Sequence, residues 1–179
     1  MRFFSLLAIA FLTLHASSCA STLPDFRTFK DPRQTPEYKK MMASGATVDF
    51  FECAPFLFKA GRPKPGEDLI SALEDFQSER FEGLYECLAL YANTPSFRFE
   101  INGFSDPSEC HNDCAALSNR RAELVKSTLL KMHFPPNKIV CSVGHGEKFV
   151  LDKVDTDRNR RVEIYLNIEG RPDNYNCEF

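Results

Sequence analysis

Two stretches of the chain alternate strictly. Phe97, Phe99 and Ile101 are separated by Arg98, Glu100 and Asn102, and Val162, Ile164 and Leu166 sit between Arg161, Glu163, Tyr165 and Asn167. Successive side chains of a strand point to opposite faces, so each stretch buries one face only. A sheet made of such strands needs cover on that face. Leu117, Arg121, Leu124, Val125, Thr128, Leu129 and Met132 supply it, because they share one face of a helix that Pro135-Pro136 ends.

The other segments complete the pattern. VDFFECAPFLF, residues 48–58, is aromatic and extended, but Pro55 confines it to an edge strand or divides it. Lys59 to Gly66 is a Gly/Pro loop. Leu69, Leu73, Phe76, Phe81, Leu84, Tyr85 and Leu88 recur at spacings of three and four, which predicts an amphipathic helix with a break near Ser78 to Arg80. Asn93-Thr94-Pro95 stops it. Lys138 to Val143 is a short strand closed by Gly144-His145-Gly146. The order strand, helix, strand, helix, strand, strand predicts a two-layer α+β domain over residues 48–169, with helices on one face of a sheet.

The ends differ from this core. Arg2 supplies a positive start, Phe3 to Leu14 an apolar run, and Ala16 to Ala20 a small-residue exit, so residues 1–20 read as a secretory signal. A membrane span needs about twenty apolar residues, and His15 with the serines ends this run sooner. Two cleavage routes are open. Ala16-Ser17-Ser18-Cys19 resembles a bacterial lipobox, which would make Cys19 the lipidated first residue of an anchored protein; cleavage after Ala20 would remove Cys19 altogether. Residues 21–47 are polar, with Pro24, Pro32 and Pro36, and read as a tether. Residues 170–179 are a polar tail containing Cys177.

Apart from Cys19, six cysteines remain: Cys53, Cys87, Cys110, Cys114, Cys141 and Cys177. An even number in an exported chain favours disulfides in an oxidising compartment. Sequence leaves fifteen connectivities open, with Cys110 and Cys114 the nearest local pair. Cys110-His111-Asn112-Asp113-Cys114 also carries metal-capable atoms, but no second pair completes the four ligands of a structural zinc site. The formal charge of −3, with no basic stripe, argues against a nucleic-acid binder. No Ser–His–acid arrangement or hydrolase motif stands out, so neither catalysis nor a cofactor is expected.

Four blocks carry a resemblance: Gly103-Phe104-Ser105-Asp106, Leu117-Ser118-Asn119-Arg120-Arg121-Ala122, Gly144-His145-Gly146-Glu147 and Asn159-Arg160-Arg161-Val162-Glu163-Ile164. In this order, with Asp106 and Arg121 fifteen positions apart, they resemble the OmpA-like C-terminal domain, a peptidoglycan-binding module also found in peptidoglycan-associated lipoproteins and flagellar stator subunits. The resemblance implies a β-α-β-α-β-β mixed sheet and a site for the diaminopimelate of the stem peptide. Asp106 would accept from its ammonium and Arg121 would fork onto its carboxylate, a geometry that suits guanidinium and not lysine. Ser105, Leu117 and Ser118 would stand beside them, with N–H groups at the start of the Leu117 helix favouring the same carboxylate. Ser105 stands where the family has Thr, Cys114 where it commonly has Asn, and His133 where it has Gly. The module implied is a periplasmic one, tethered through its N-terminus to the outer membrane or other envelope proteins. Two rival readings stand beside it: an OmpA-like scaffold that binds proteins and has lost wall binding, and a metal-dependent wall enzyme using the 110–114 loop.

Overall fold

A computed structural model of the chain describes residues 23–28, 53–78, 81–93, 97–110 and 113–168, with single positions at 34, 36, 40 and 43. The expected signal with Cys19, most of the expected tether, and the 170–179 tail with Cys177 lie outside them.

Four strands make one mixed sheet in the order β1-β4-β2-β3. They are β1 (Phe56–Leu57), β2 (Phe97–Gly103), β3 (Ile139–Gly144) and β4 (Arg161–Ile168). β2 runs parallel to β3 and antiparallel to β4, and β1 pairs antiparallel to β4. A parallel pair needs a crossover, and the helix α4 (Cys114–Lys131) provides it. The earlier helices are α1 (Leu69–Ala72), α2 (Asp75–Ser78) and α3 (Phe81–Ala92). Phe99 and Ile101 of β2 and Val162 of β4 join Ala122, Val125 and Leu129 of α4 and Leu84 and Leu88 of α3 in one core. Phe99, Ile101 and Val162 face that core as the alternation predicts, but the expectation of one buried face per strand fails: Glu100 and Asn102 of β2 and Arg161 of β4 are buried as well, Asn102 against His145 and Arg161 against the Phe104 ring, and the fold is α+β.

The helical pattern from Leu69 to Leu88 breaks where its spacing predicts, α2 ending at Ser78 and α3 starting at Phe81, and breaks once more, earlier, at Leu73. Leu73 is already extended (φ −77°, ψ 157°). It forms a bridge with Phe58, and Glu74 donates its N–H to the Leu57 carbonyl at 3.0 Å. Backbone pairing with the edge strand therefore separates α1 from α2.

The start of the expected tether is not free chain. Phe26 lies in the core, packed edge-on against Phe134 and tilted over Tyr85 at ring separations of 5.0 and 4.8 Å. Its N–H reaches the Met132 carbonyl at 2.9 Å, and the Tyr85 hydroxyl donates to the Asp25 carbonyl at 3.0 Å. A large aromatic surface leaving water outweighs the polar, proline-containing character of the segment around it.

Asp113 caps α4 by accepting from the Ala116 N–H. At the far end, His133 adopts φ 62°, the left-handed conformation that glycine favours, and its N–H and that of Phe134 close on the Leu130 and Leu129 carbonyls. Disulfides join Cys53 to Cys87 and Cys110 to Cys114. Cys141 is disulfide-bonded as well, with its partner outside the described residues.

Gly103 and Gly144 let the first turns of α4 lie directly on the strand ends. A methyl carbon on Gly144 would overlap the Asn119 backbone nitrogen and stand 2.6 Å from the Ser118 carbonyl carbon. Neither neighbour is a flexible side-chain end, so relief requires moving the helix. Gly144→Ala should destabilise the domain by about 1–3 kcal/mol or more, read as a lower midpoint in urea unfolding; an unchanged midpoint would show that α4 yields freely here.

Candidate functional site

The site forms where β2 ends. The Phe104 N–H bonds the Arg161 carbonyl at 2.8 Å, and the Ser105 N–H bonds the Gly146 carbonyl at 3.0 Å. The Ser105 hydroxyl donates to the Cys114 carbonyl at 3.1 Å. Ser118 donates to the Ala115 carbonyl and accepts from the Gly146 N–H at 2.8 Å. Ser105, Leu117 and Ser118 are all buried; they fasten the strand exit, the helix and the Gly144–Gly146 loop together. α4 begins three residues before Leu117, because Asp113 caps it, and the Leu117 N–H bonds the Asp113 carbonyl at 3.2 Å. The expected N–H groups at Leu117 are thus not directed at a ligand.

Asp106 is buried, and both its carboxylate oxygens are engaged. Oδ1 accepts from the Ser108 N–H at 2.9 Å and from the Ser108 hydroxyl. Oδ2 accepts from Asn159 Nδ2 at 2.8 Å. Asn159 in turn donates to the Asp152 carbonyl and accepts from the Leu151 and Asp152 N–H groups, so it holds the β3–β4 loop against Asp106. Burial acts to raise the Asp106 carboxyl; the bonds from Ser108 and Asn159, with the charge of Arg160, outweigh it and hold the carboxyl below the ordinary 3.8.

Arg121 is fully buried, and each of its five donors has an acceptor. Nε bonds the Arg62 carbonyl at 2.9 Å, Nη1 bonds the Phe104 carbonyl at 3.0 Å, and Nη2 reaches the Lys59 carbonyl at 3.5 Å. The remaining two fork onto Glu109, Nη1 to Oε1 at 2.6 Å and Nη2 to Oε2 at 2.7 Å. The Glu109 carboxylate, 4% exposed, also accepts from the Asp106 N–H at 2.9 Å and the Gly61 N–H at 2.7 Å. Burial lowers the Arg121 pKa and Glu109 opposes that, while the guanidinium stays charged at any physiological pH. Its plane also lies 5.2 Å from the Phe58 ring centre.

Asp106 and Arg121 therefore meet around one carboxylate, that of Glu109, rather than pairing with each other. Glu109 and the carbonyls of the 59–62 loop are the partners of Arg121 that sequence reading missed. The only signal for Glu109 was a second acid beside Asp106, with nothing to say which acid the arginine takes. Arg160 bonds the Phe58 carbonyl, Glu74 and Asp157, and Arg161 bonds Glu163 and stacks 4.0 Å from the Phe104 ring centre.

A cleft of about 530 Å³ lies against this loop, lined by Pro107, Cys114, Ala115, His145, Gly146, Glu147 and Lys148. Ligand atoms of Cys110, Cys114 and Glu147 lie within 4.8 Å of one another. A metal binds thiolates, and both sulfurs are joined in the disulfide. His145 is buried, with Nε2 2.7 Å from Asn102 Oδ1 and its ring stacked on Phe104. Burial pushes its pKa below 6.5, and Lys148 adds to the effect.

The family model named OmpA family matches residues 70–163. Among solved structures, the chain is similar to the peptidoglycan-associated lipoprotein of Burkholderia pseudomallei at 19% identity and a TM-score of 0.49, covering 63% of this chain and 89% of that one. It is similar to the C-terminal domain of Helicobacter pylori MotB at 18% identity and a TM-score of 0.49, covering 69% and 88%. No curated protein matches the sequence.

Two buried groups give the stability a pH signature. Below 6.5, unfolded His145 takes a proton that the folded ring resists, so stability falls as pH drops through that value. Asp106 contributes fully above 3.8, and its contribution is lost as pH falls towards its lower folded value. Urea midpoints measured from pH 8 to pH 2.5 should decline in both windows; His145→Gln should flatten the first, and Asp106→Asn should lessen the second, which it shares with Asp25, Asp68 and Asp152, carboxyls also held below their ordinary value. Profiles unchanged by these substitutions would assign the declines to other groups.

Proposed function

The chain belongs to the OmpA family, and from that premise we propose that it is a non-catalytic module of the bacterial envelope that binds peptidoglycan through the diaminopimelate of the stem peptide. The distal carbon of that residue carries an ammonium and a carboxylate. The carboxylate takes the fork of Arg121 and the ammonium is received by Asp106. One observation carries this reading: Arg121 already holds a carboxylate through two parallel N–H···O bonds, and the backbone of Asp106 binds the same group. A carboxylate receptor and a second, ionised carboxylate therefore adjoin, which is the complement of a zwitterion.

Charge-assisted bonds of about 1.5–3 kcal/mol each support modest affinity for one stem peptide, and a polymeric wall raises the hold of a tethered protein by multivalency. The disulfides at Cys53–Cys87 and Cys110–Cys114 suit an oxidising periplasm. Residues 1–20 would direct export there, and the N-terminal segment would link the module to the outer membrane or to other envelope proteins.

Glu109 favours a second reading. Its side chain fills the carboxylate position, as expected of a scaffold that keeps the fold and binds proteins instead of the wall. Retention on purified, diaminopimelate-containing sacculi separates the two. The parent should be retained, and Asp106→Asn and Arg121→Lys, each shown to be folded by its thermal melt, should weaken retention by about 10–100-fold. A folded parent that stays in solution would favour the scaffold.

A further inference from the structure

We propose that Glu109 is an internal ligand: it occupies an exchangeable carboxylate seat, and an external carboxylate binds by displacing it. This deepens the peptidoglycan reading and rests on it for the identity of the natural ligand, while the seat itself is defined by residues of this chain.

Three of the four donors of the seat come from elements other than the loop that carries Glu109. Arg121 comes from α4, the Gly61 N–H from the loop after β1, and the Asp106 N–H from the exit of β2. Arg121 is further aimed by its bonds to the Arg62, Phe104 and Lys59 carbonyls. If Glu109 swung away, four N–H donors would still converge on a space of carboxylate shape. The guanidinium inside it is desolvated, and an uncompensated buried charge is strongly unfavourable. The seat therefore favours an anion at all times, and its natural transition is exchange of one carboxylate for another.

Glu109 is suited to be the departing group. It sits on the short loop between β2 and α4, outside any helix or strand. Its own N–H makes only a turn bond to the Asp106 carbonyl at 3.2 Å. The next residue, Cys110, is joined to Cys114 at the first position of α4, which pins the loop beside the seat. An internal group held this close competes at high effective concentration, so the apparent affinity for an external ligand falls with the fraction of molecules that are open. Glu109 thus sets the threshold that a ligand has to exceed. A carboxylate alone gains little by replacing another. One that also brings an ammonium to Asp106 gains a contact that Glu109 does not make, so the internal ligand discriminates in favour of zwitterions.

Glu109→Ala tests the seat directly. The variant should melt below the parent, and sodium acetate should raise its melting temperature by several degrees, saturably, relative to sodium chloride at equal ionic strength. The parent should respond equally to both salts. A folded variant that does not distinguish acetate from chloride overturns the proposal. Calorimetric titration with meso-diaminopimelate then tests competition: the variant should bind at least about tenfold more tightly than the parent, and equal, measurable affinities in the two proteins overturn it. If acetate restores the variant while neither protein takes diaminopimelate or sacculi, the internal ligand stands and the peptidoglycan reading fails. Should Glu109→Ala not fold, Cys110→Ser with Cys114→Ser unpins the loop instead. The Arg121 Nε–H resonance should then shift as acetate is added, and a resonance that stays fixed overturns the proposal.

Discussion

A guanidinium with no exposure to water organises this domain. Arg121 spends all five donors inside the protein: on the loop after β1, on the exit of β2, and on Glu109. A charge placed there without partners would be costly, so segments far apart in sequence must arrive together. Lys59 to Arg62 bring carbonyls, Phe104 brings another, and Glu109 brings the counter-charge. The strand–helix connection from residue 104 to 113 is therefore shaped by what Arg121 requires as much as by its own turn chemistry.

A second polar centre lies next to the first. Asn159 spans Asp106 and the backbone at Leu151 and Asp152, so the β3–β4 loop is held to the carboxylate that adjoins the Arg121 seat. Phe149 stands edge-on to both Phe104 and His145, giving the same loop an apolar foothold. Arg161 stacks on the other ring neighbour of that cluster, Phe104. Polar satisfaction and aromatic contact thus fix one loop by different forces.

The layers of the fold were legible because they depend on local period. The alternation of Phe97 to Asn102 and of Val162 to Ile164, with the helical face of Leu117 to Met132, indicated which side of each element faces the core, but not that Glu100, Asn102 and Arg161 on the other side are buried as well. The motif blocks added Asp106 and Arg121. What sequence did not reveal is pairing across distance. Nothing local distinguishes Glu109 from Asp113 as the acid for Arg121, or shows that Phe26 crosses back to pack on Phe134. The break at Leu73 was hidden for the same reason: its cause is the Phe58 backbone, fifteen residues upstream. Leu117 was misplaced in its helix because the Asp113 cap, not the first leucine, determines where helical hydrogen bonding begins.

The short edge strand has a consequence for association. An exposed edge is a row of unpaired backbone groups on which another chain can build. On β1 that row is already occupied from within: Leu57 accepts from the Glu74 N–H at 3.0 Å and donates to Gln77 Oε1 at 2.5 Å, and the Lys59 N–H meets the Ala72 carbonyl at 3.0 Å. Pro55 contributes no N–H just before it. The turn that interrupts the helix therefore also blunts the sheet, so that it does not grow past β1 into a neighbouring molecule.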